Sequence, residues 1–358
     1  MEWTNPYNPF NSWKVLAWTA HLEGCASEQY LPPVSVNLDL ANACNSSCPY
    51  CIAWLARQGK EYMPSGFYKI LPSFLARWGV KSVCIAGGGE STLHPEYVDW
   101  LEALHGAGLQ IGVITNGRQL SPAIIKAMAN YCRWVGFSVD AGTEEAYMKM
   151  HGLSSGKDLW TVLNNVASLR RAYNGMDICV KFLIHPYSVG SIAEGARLAK
   201  EHGANSFHIR PLGWKGFAHP PNVEVPDMAS IVGQANRGIE AAQRLEDDNF
   251  KVYAVRHKFT HDYQNKTSFS GCWASPLTVT LAPDGWAYMC CDKRGEEHTR
   301  LERFYPEPDR LALYWGSTEH VRQVRAINPQ ECPRCTFTPY QEIIEKVIVA
   351  DAMCRNFP

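Results

Sequence analysis

The sequence lacks three features that mark other classes of protein. It has almost no net charge, because 34 Lys and Arg residues face 35 Asp and Glu residues and leave a formal charge of −1. Without a basic excess, non-specific binding to a nucleic-acid backbone is disfavoured. No apolar run approaches the ~18 residues of a membrane span. Residues 1–6 carry an acid and an early proline instead of the basic start of a signal peptide, so we expect a cytoplasmic protein without a membrane segment.

The thirteen cysteines do not suit a disulfide framework. Their number is odd and the chain is long, so we expect reduced thiols that bind metal. Three cysteines lie close together, and six more lie towards the C-terminus. The first group is Cys44, Cys48 and Cys51, and the second is Cys272, Cys290, Cys291, Cys332, Cys335 and Cys354. Cys84 and Cys179 lie singly in apolar runs and are expected to be small buried side chains.

Short β-rich runs alternate with helical stretches between residues 34 and 212, which is typical of β/α units around a parallel sheet. Predicted helices include Pro95–His105, Ser121–Tyr131 and Asp158–Tyr173. The six predicted strands are Val34–Leu40, Ser82–Ala86, Gln110–Thr115, Trp134–Asp140, Ile178–Ile184 and Ser206–Leu212. Six such units predict a partial barrel, with its chemistry on the loops after the carboxyl ends of the strands.

The pattern changes after Leu212. A helix over Met228–Glu246 and a strand near Val252–Lys258 precede a hairpin, whose strands Leu277–Leu281 and Trp286–Cys290 flank a Pro-Asp-Gly turn. Cysteines bracket this hairpin and indicate a small metal-binding domain. The predicted fold is α/β, a partial (β/α)6 parallel barrel with a small C-terminal α+β domain. We divide the chain into an N-terminal extension (1–33), the barrel (34–226), and a linker helix with the C-terminal domain (227–358).

Cys44, Cys48 and Cys51 are spaced by four and three residues directly after the first predicted strand. Such a loop can hold one face of a cubic [4Fe–4S] cluster, whose irons are typically bound by cysteine thiolates. Because the loop supplies three thiolates, one iron is left open for another ligand, as a catalytic site requires. The alternative is a structural zinc site, but zinc needs four N or S ligands and no further Cys or His lies in this loop, the next being Cys84, in an apolar run, and His94.

This loop resembles that of the radical S-adenosylmethionine (SAM) enzymes, which carry Cys-x3-Cys-x2-Cys with an aromatic residue before the last cysteine, here Tyr50. The resemblance implies that the open iron binds the amino and carboxylate groups of SAM. An electron delivered through the cluster then cleaves SAM to methionine and a 5′-deoxyadenosyl radical, which abstracts a substrate hydrogen. The resemblance further implies a flavodoxin- or ferredoxin-like electron donor.

A glycine-rich segment, Gly87–Glu90, follows the second predicted strand and lets the backbone approach a ligand closely. In the family, a Gly-Gly-Glu segment at this place binds the SAM amino group. Alternation puts Ser138 and Asp140 on one face of the fourth strand, which suits a wall for SAM if that face is the interior. Lys181 either pairs with the SAM carboxylate or reaches water at an edge. The predicted SAM-binding residues are Tyr50, Gly88, Gly89, Glu90, Asn116, Ser138, Asp140 and Lys181.

The sixth predicted strand offers two more polar side chains, His208 and Arg210, which alternate with apolar residues and share one face. Arg210 suits an anionic or polyhydroxyl substrate or the SAM carboxylate, with an interior salt bridge as the alternative. His208 is a candidate catalytic residue, with a hydrogen-bonded core histidine as the alternative. The sequence alone does not decide between the two alternatives for either residue.

The C-terminal cysteines form a second pattern, in which Cys272 and Cys290 flank the hairpin and Cys332 and Cys335 follow as a Cys-x2-Cys pair. This resembles the twitch domain, a shortened relative of the SPASM domain of radical SAM enzymes. In twitch domains four such cysteines hold one auxiliary [4Fe–4S] cluster. The longer cysteine run with which SPASM proteins bind two clusters is missing, so the resemblance implies one. A zinc site with the same spacing is the alternative.

Cys291 adjoins Cys290 on a predicted strand and should therefore point to the opposite face. Three roles are open for it: hydrogen-atom donor to a substrate radical, replacement ligand of the auxiliary cluster, or buried side chain. Spacing alone also leaves open whether Cys290 or Cys291 is the fourth ligand of the auxiliary cluster. We expect Cys354 to be structural.

Together these patterns predict an enzyme that uses two [4Fe–4S] clusters and SAM on a small-molecule or peptide substrate. We expect a two-electron oxidation of a small polar metabolite, such as an aminocyclitol or sugar alcohol, because the auxiliary cluster can take up the electron of the product radical. The alternatives are redox-neutral epimerisation or isomerisation, peptide modification, and modification of a nucleotide or hypermodified base. Peptide modification is disfavoured because residues 1–33 are too few for the leader-binding domain that such enzymes often carry. An iron–sulfur electron carrier, from another class, would complete the ligation of every iron.

Overall fold

The strands form one sheet in the part of the chain that the structure, a computed structural model, describes: residues 11–173, 175–212, 220, 223–224, 226–255, 268–332 and 335–350. They are β1 (Ser35–Leu38), β2 (Ser82–Ile85), β3 (Gln110–Thr115), β4 (Cys132–Ser138), β5 (Asp177–Ile184), β6 (Ser206–Pro211), β7 (Lys251–Ala254), β8 (Thr278–Leu281), β9 (Trp286–Tyr288) and β10 (Arg300–Arg303). Their order across the sheet is β10-β9-β8-β1-β2-β3-β4-β5-β6-β7. The six predicted barrel strands are confirmed as β1 to β6, each within two residues of its predicted bounds.

Neighbouring strands from β8 through β1 to β7 pair in parallel. Helices connect the strands from β1 to β7, as predicted, and further helices lie before β1 and after β10. They are α1 (Thr19–Ser27), α2 (Leu71–Trp78), α3 (Tyr97–Gly106), α4 (Pro122–Tyr131), α5 (Glu144–His151), α6 (Asp158–Ala172), α7 (Ile192–Glu201), α8 (Val232–Gln243), α9 (Asp309–Tyr314), α10 (Thr318–Arg325) and α11 (Thr338–Ile343). The predicted start of α4 is confirmed, since the Ser121 hydroxyl accepts a hydrogen bond from Ile124 N at 3.3 Å and Pro122 follows it.

The two faces of the sheet differ in chemistry because side chains alternate along each strand. One face is fully buried and apolar, and it includes Leu38, Phe137 and Phe182 in the main hydrophobic core. The other face carries polar or small residues, among them Asn37 and Lys181, which are half-buried. The polar face therefore lines the inside of the barrel, as the alternation in the fourth strand requires for a wall of the SAM site.

The C-terminal hairpin extends the barrel sheet. Its first strand, β8, pairs in parallel with β1 from Ser35–Thr278 to Leu38–Leu281, and β9 and β10 follow in antiparallel pairs. A partial barrel leaves an edge at β1, and unpaired edge groups of a buried strand need partners. The hairpin supplies them, so the C-terminal cysteines are brought directly beside the first barrel strand.

The N-terminal segment packs against the C-terminal part of the described chain. A 3₁₀ helix, Ser12–Trp18, and α1 share a small apolar cluster with the C-terminal π-helical segment Ile344–Val349, formed by Val15, Leu22, Cys25, Ala274 and Ile344. Within the described residues no helix combines the length and apolar character needed to cross a bilayer.

Candidate active site

The three clustered cysteines lie where the barrel prediction places them. Cys44, Cys48 and Cys51 follow β1 and line a cleft of about 210 Å³ at the carboxyl ends of the strands. Most of the predicted SAM-binding residues line the same cleft, together with Arg210. They are Tyr50, Gly88, Gly89, Glu90, Asn116, Ser138 and Asp140.

The glycine loop (Gly87–Glu90) pairs with the chain that leads into the cysteine loop (Cys44–Cys51). Gly89 N donates to Ala41 O and Glu90 N donates to Ala43 O, both at 2.8 Å. A Cβ on Gly89 would stand 2.1 Å from Ala43 O, far inside contact distance. Glycine is therefore needed for this close approach as well as for room at the ligand, and the two loops form one unit.

Glu90 is buried, and its carboxylate is already well hydrogen-bonded. It accepts from Thr92 Oγ1 and Thr115 Oγ1 at 2.8 Å and from Asn116 N at 2.7 Å. Burial raises the pKa of the Glu90 carboxyl, and these donors oppose the rise. The carboxylate thus joins the glycine loop to the end of β3; its binding to a SAM amino group stays a prediction.

Asn116 links the end of β3 to the cysteine loop. Its Nδ2 donates to Asn45 Oδ1 at 2.7 Å and lies 4.0 Å from Cys44 Sγ, while its Oδ1 accepts from Arg118 N at 3.0 Å. An amide donor beside a thiolate stabilises its negative charge. Asn116 therefore has a structural role at the loop in addition to the cofactor contact predicted for it.

His151 is a site residue that no sequence pattern marks. Its Nε2 lies 2.9 Å from Val139 O, which can only accept, so Nε2 carries the proton. Its Nδ1 lies 3.5 Å from Cys48 Sγ. The ring comes from α5, after the turn in which Asp140 takes a left-handed φ of 57° and accepts from Leu183 N at 2.8 Å. A buried histidine thus lies next to one of the three clustered thiols.

Tyr50 packs on a second histidine that was not predicted. Its ring centroid lies 4.1 Å from that of His185, and the Nδ1 of His185 accepts from Tyr187 N at 3.0 Å. Burial lowers the pKa of His185 to about 4, so the ring is neutral near pH 7. The aromatic residue before Cys51 is therefore held in place by a neutral, anchored ring.

The donor set of the cleft fits a cationic multinuclear group. Burial raises the pKa of the Cys44 thiol and raises that of Cys48 well above its usual range. Such thiols become thiolates when a metal supplies the compensating charge. Among the described residues no three His, Cys, Asp or Glu side chains converge on a single ion. A four-iron cube instead binds each thiolate at a different iron, so three spread thiols around a cleft suit it better than one zinc.

Lys181 and His208 face the barrel interior beside the cleft. Lys181 is on β5, which pairs with β4 and β6, so it does not lie on an edge strand, and it is half-buried. Its Nζ lies 5.9 Å from the Trp134 ring centre, and a Cβ on Gly136 would stand 2.6 Å from its Cε. His208 is buried with Nε2 3.0 Å from Ser206 Oγ, and burial, with Lys181 and Arg210 nearby, places its pKa well below the usual range.

The four predicted auxiliary ligands come together in the structure. Cys272, Cys290, Cys332 and Cys335 line a second cavity of about 260 Å³. Gln341 Nε2 lies 3.5 Å from Cys272 Sγ and 3.9 Å from Cys335 Sγ, and Asp292 N donates to Cys290 Sγ at 3.4 Å. Amide donors aimed at sulfur are typical of sites that hold thiolates. This cavity therefore fits a metal cluster, although ligation by these four residues stays a prediction.

Cys291 lines a third cavity, here called the chamber, of about 570 Å³. The chamber also includes Cys84 and shares Gly88, Gly89 and Arg210 with the cleft. Its lining extends from Cys51 of the cysteine loop to Asp292 and Thr336, which are close in sequence to Cys290 and Cys335. Cys354, expected to be structural, falls outside the described residues.

Residues 38–188 match the profile of the Radical SAM superfamily. A PqqA peptide cyclase from Ruegeria pomeroyi is 24% identical over 315 residues, which cover 87% of this chain and 82% of that protein. An S-adenosylmethionine-dependent nucleotide dehydratase from Lacinutrix mariniflava is 31% identical over 130 residues, 34% of this chain and 27% of that protein. The structure of Streptococcus suis SuiB bound to precursor peptide SuiA aligns with a TM-score of 0.64 at 16% identity, over 90% of this chain and 73% of SuiB. The SuiB likeness establishes the shared fold.

Proposed function

This chain is a radical SAM enzyme, and on that premise we propose that it oxidises a side chain of a peptide substrate in the chamber between its two cofactor sites. The observation that carries the proposal is the chamber itself. It shares Gly88, Gly89 and Arg210 with the lining of the cleft and adjoins the auxiliary cavity at the Cys290–Asp292 segment. A substrate there contacts the SAM side and the auxiliary side together.

Cys44, Cys48 and Cys51 would hold the first [4Fe–4S] cluster, and Cys272, Cys290, Cys332 and Cys335 would hold the second. When bound, these groups and SAM would let the substrate lose one hydrogen atom to the 5′-deoxyadenosyl radical, which becomes 5′-deoxyadenosine, one electron to the auxiliary cluster, and one proton to solvent. The protein orients the reactants: the glycine loop fixes the cysteine loop, and Arg210 on β6 presents a cation to both cavities.

The peptide substrate is supported by the relative that matches along most of the chain, the PqqA peptide cyclase. The nucleotide dehydratase matches over 27% of its own length, so it supports the radical SAM part alone. We therefore revise the substrate class expected from the sequence, where the short N-terminal extension had disfavoured peptides. Reduced thiols at both sites suit a cytoplasmic enzyme with a flavodoxin- or ferredoxin-like donor.

A small polar metabolite is the second candidate, and the chamber is large enough to hold one. About 570 Å³ lies within the ~300–1,000 Å³ of small-molecule sites. The same volume accepts a single peptide side chain, so size alone does not decide. Oxidation of a peptide side chain and oxidation of a small polar metabolite would use the same residues.

The test is deuterium transfer to 5′-deoxyadenosine. Anaerobically reconstituted enzyme, dithionite and SAM are incubated with carbon-deuterated peptides encoded next to this reading frame, and in parallel with deuterated inositol and aminocyclitols. We expect deuterium in 5′-deoxyadenosine and a peptide product lighter than its substrate by the two hydrogen isotopes lost. Transfer from the cyclitols alone would reject the peptide proposal, and a product of unchanged oxidation state would reject oxidation.

A further inference from the structure

The segment Cys290–Glu296 bridges the two cofactor sites, and Arg294 fixes it. Its buried guanidinium lies with Nη1 3.0 Å from Oδ2 of Asp39, a fully buried residue just after β1. The same nitrogen donates to the carbonyl of Gly87, the first residue of the glycine loop. Its Nε donates to Cys291 O at 2.8 Å. One side chain therefore binds the end of β1, the glycine loop and the backbone of Cys291.

Other contacts of the segment point to the same two sites. Gly295 has a φ of +85°, and a Cβ there would stand 3.1 Å from Ala56 N, five residues after the last clustered cysteine. On the other side, Asp292 Oδ2 accepts from Thr336 Oγ1 at 2.6 Å, next to Cys335. The segment is thus in contact with the SAM side and the auxiliary side.

Stability alone does not account for the Arg294–Asp39 pair. The desolvation of two buried charges offsets most of their attraction, and apolar residues of similar volume are often equally stable. An apolar pair would, however, supply no donors to the carbonyls of Gly87 and Cys291. What the arginine adds is a fixed distance between these two backbone groups, since its guanidinium is rigid and planar.

We propose that Arg294 is a positioning residue that holds Cys291 at the chamber and keeps the auxiliary segment in register with the glycine loop. The proposal rests on the proposed function only in taking the chamber as the substrate site. The arrangement exists in the resting protein, so it is measured without a substrate.

The test is the rate at which iodoacetamide alkylates Cys291 in anaerobic, reconstituted holoenzyme, read by peptide mapping. We compare wild type with Arg294→Lys, which keeps a cation for Asp39 but loses the planar fork, and with Asp39→Leu/Arg294→Met, which removes both charges. The matched control is Arg170→Lys, because Arg170 donates to Gly203 O at 2.8 Å and Met176 O at 3.1 Å, away from both cofactor sites.

We expect both Arg294 variants to alkylate Cys291 at least about tenfold faster, because Cys291 is half-buried and local opening sets its exposure. Cys84 in the same chamber should keep its rate, and Arg170→Lys should leave the Cys291 rate within about twofold. A Cys291 rate within twofold of wild type in Arg294→Lys, or an equal rise at Cys84, overturns the proposal. If the double variant does not fold, the lysine variant decides. Formation of 5′-deoxyadenosine by wild type is scored separately, so failure of the proposed function is distinguishable.

Discussion

Cys290 and Cys291 are consecutive in the chain, yet their side chains line different cavities. Cys290 lines the auxiliary cavity with Cys272, Cys332 and Cys335, whereas Cys291 lines the chamber with Arg210 and the glycine loop. β9 ends at Tyr288, so both cysteines lie in the irregular segment after it, and the strand alternation predicted for them is wrong. The split favours Cys290 over Cys291 as the predicted cluster ligand, a choice that spacing alone leaves open.

Iron content distinguishes the two cysteines. We expect reconstituted wild type to hold about eight irons and Cys290→Ser to lose about four, because each cluster carries four. Cys291→Ser should keep all of them. Iron assay and electron paramagnetic resonance of the reduced protein measure the difference. Equal loss in Cys291→Ser would make Cys291 the ligand.

The cysteine loop should be required for SAM cleavage. Replacing Cys44, Cys48 and Cys51 by Ala together should remove about half of the iron, since one of two four-iron sites is lost, and all formation of 5′-deoxyadenosine. Cys272→Ala/Cys290→Ala is the matched control, because it removes the other site and should retain cleavage without substrate. Cleavage that survives in the triple variant would contradict the assignment of the SAM site.

A single methyl group added to the glycine loop should strongly reduce SAM cleavage. Gly89→Ala places a Cβ 2.1 Å from Ala43 O and 2.4 Å from Asn42 O, both backbone atoms that cannot move aside. We expect loss of the two inter-loop hydrogen bonds and a fall in SAM cleavage of about tenfold or more, because small displacements near reacting groups cost rate steeply. Gly106→Ala, which meets nothing within 4 Å, is the control. Equal activity of both variants would show that the loops are not coupled.

Local patterns in the sequence predict the strands and the cysteine motifs. Val34–Leu40 and Ser206–Leu212 read as strands from their own composition, and the three clustered cysteines carry their spacing within one loop. The Ser121-Pro122 pair marks a helix start for the same reason. Each of these signals comes from residues that are close in sequence, and the local backbone geometry sets their relative positions.

Contacts between distant residues are what the sequence does not disclose. Arg294 and Asp39 are separated by 255 positions, and a lone arginine on a loop gives no sign of its partner. His151 is equally ordinary until α5 brings it to Cys48. The pairing of β8 with β1 likewise depends on which edge an incomplete barrel leaves open. Tertiary packing decides all three.

His320 predicts a pH dependence of stability away from the active site. It packs against Tyr30 and Trp315, and burial lowers its pKa to about 4. The unfolded chain protonates this residue near pH 6.5, whereas the folded chain does so only near 4, so stability falls as pH drops through that window. Between pH 7 and 5 the free energy of unfolding of His320→Gln should therefore fall by about 1–2 kcal/mol less than that of wild type. Anaerobic urea unfolding at both pH values measures this.

The control for that comparison is His298→Gln, since the His298 side chain is 71% exposed. It should lose the same free energy of unfolding between pH 7 and 5 as wild type. An unchanged pH dependence in His320→Gln would show that the ring is protonated in the folded protein at pH 5.

The last prediction separates oxidation from redox-neutral chemistry through Cys291. A substrate radical that is quenched needs a hydrogen donor with a weak S–H bond, and the Cys291 thiol is at the chamber wall. A redox-neutral reaction through this thiol would place one solvent deuterium on a product carbon in deuterated water, and Cys291→Ala would abolish that product. Oxidation instead sends the electron to the auxiliary cluster, so we expect no carbon-bound deuterium by mass spectrometry and continued turnover in Cys291→Ala. Stoichiometric deuterium that is lost in Cys291→Ala would show the oxidative assignment to be wrong.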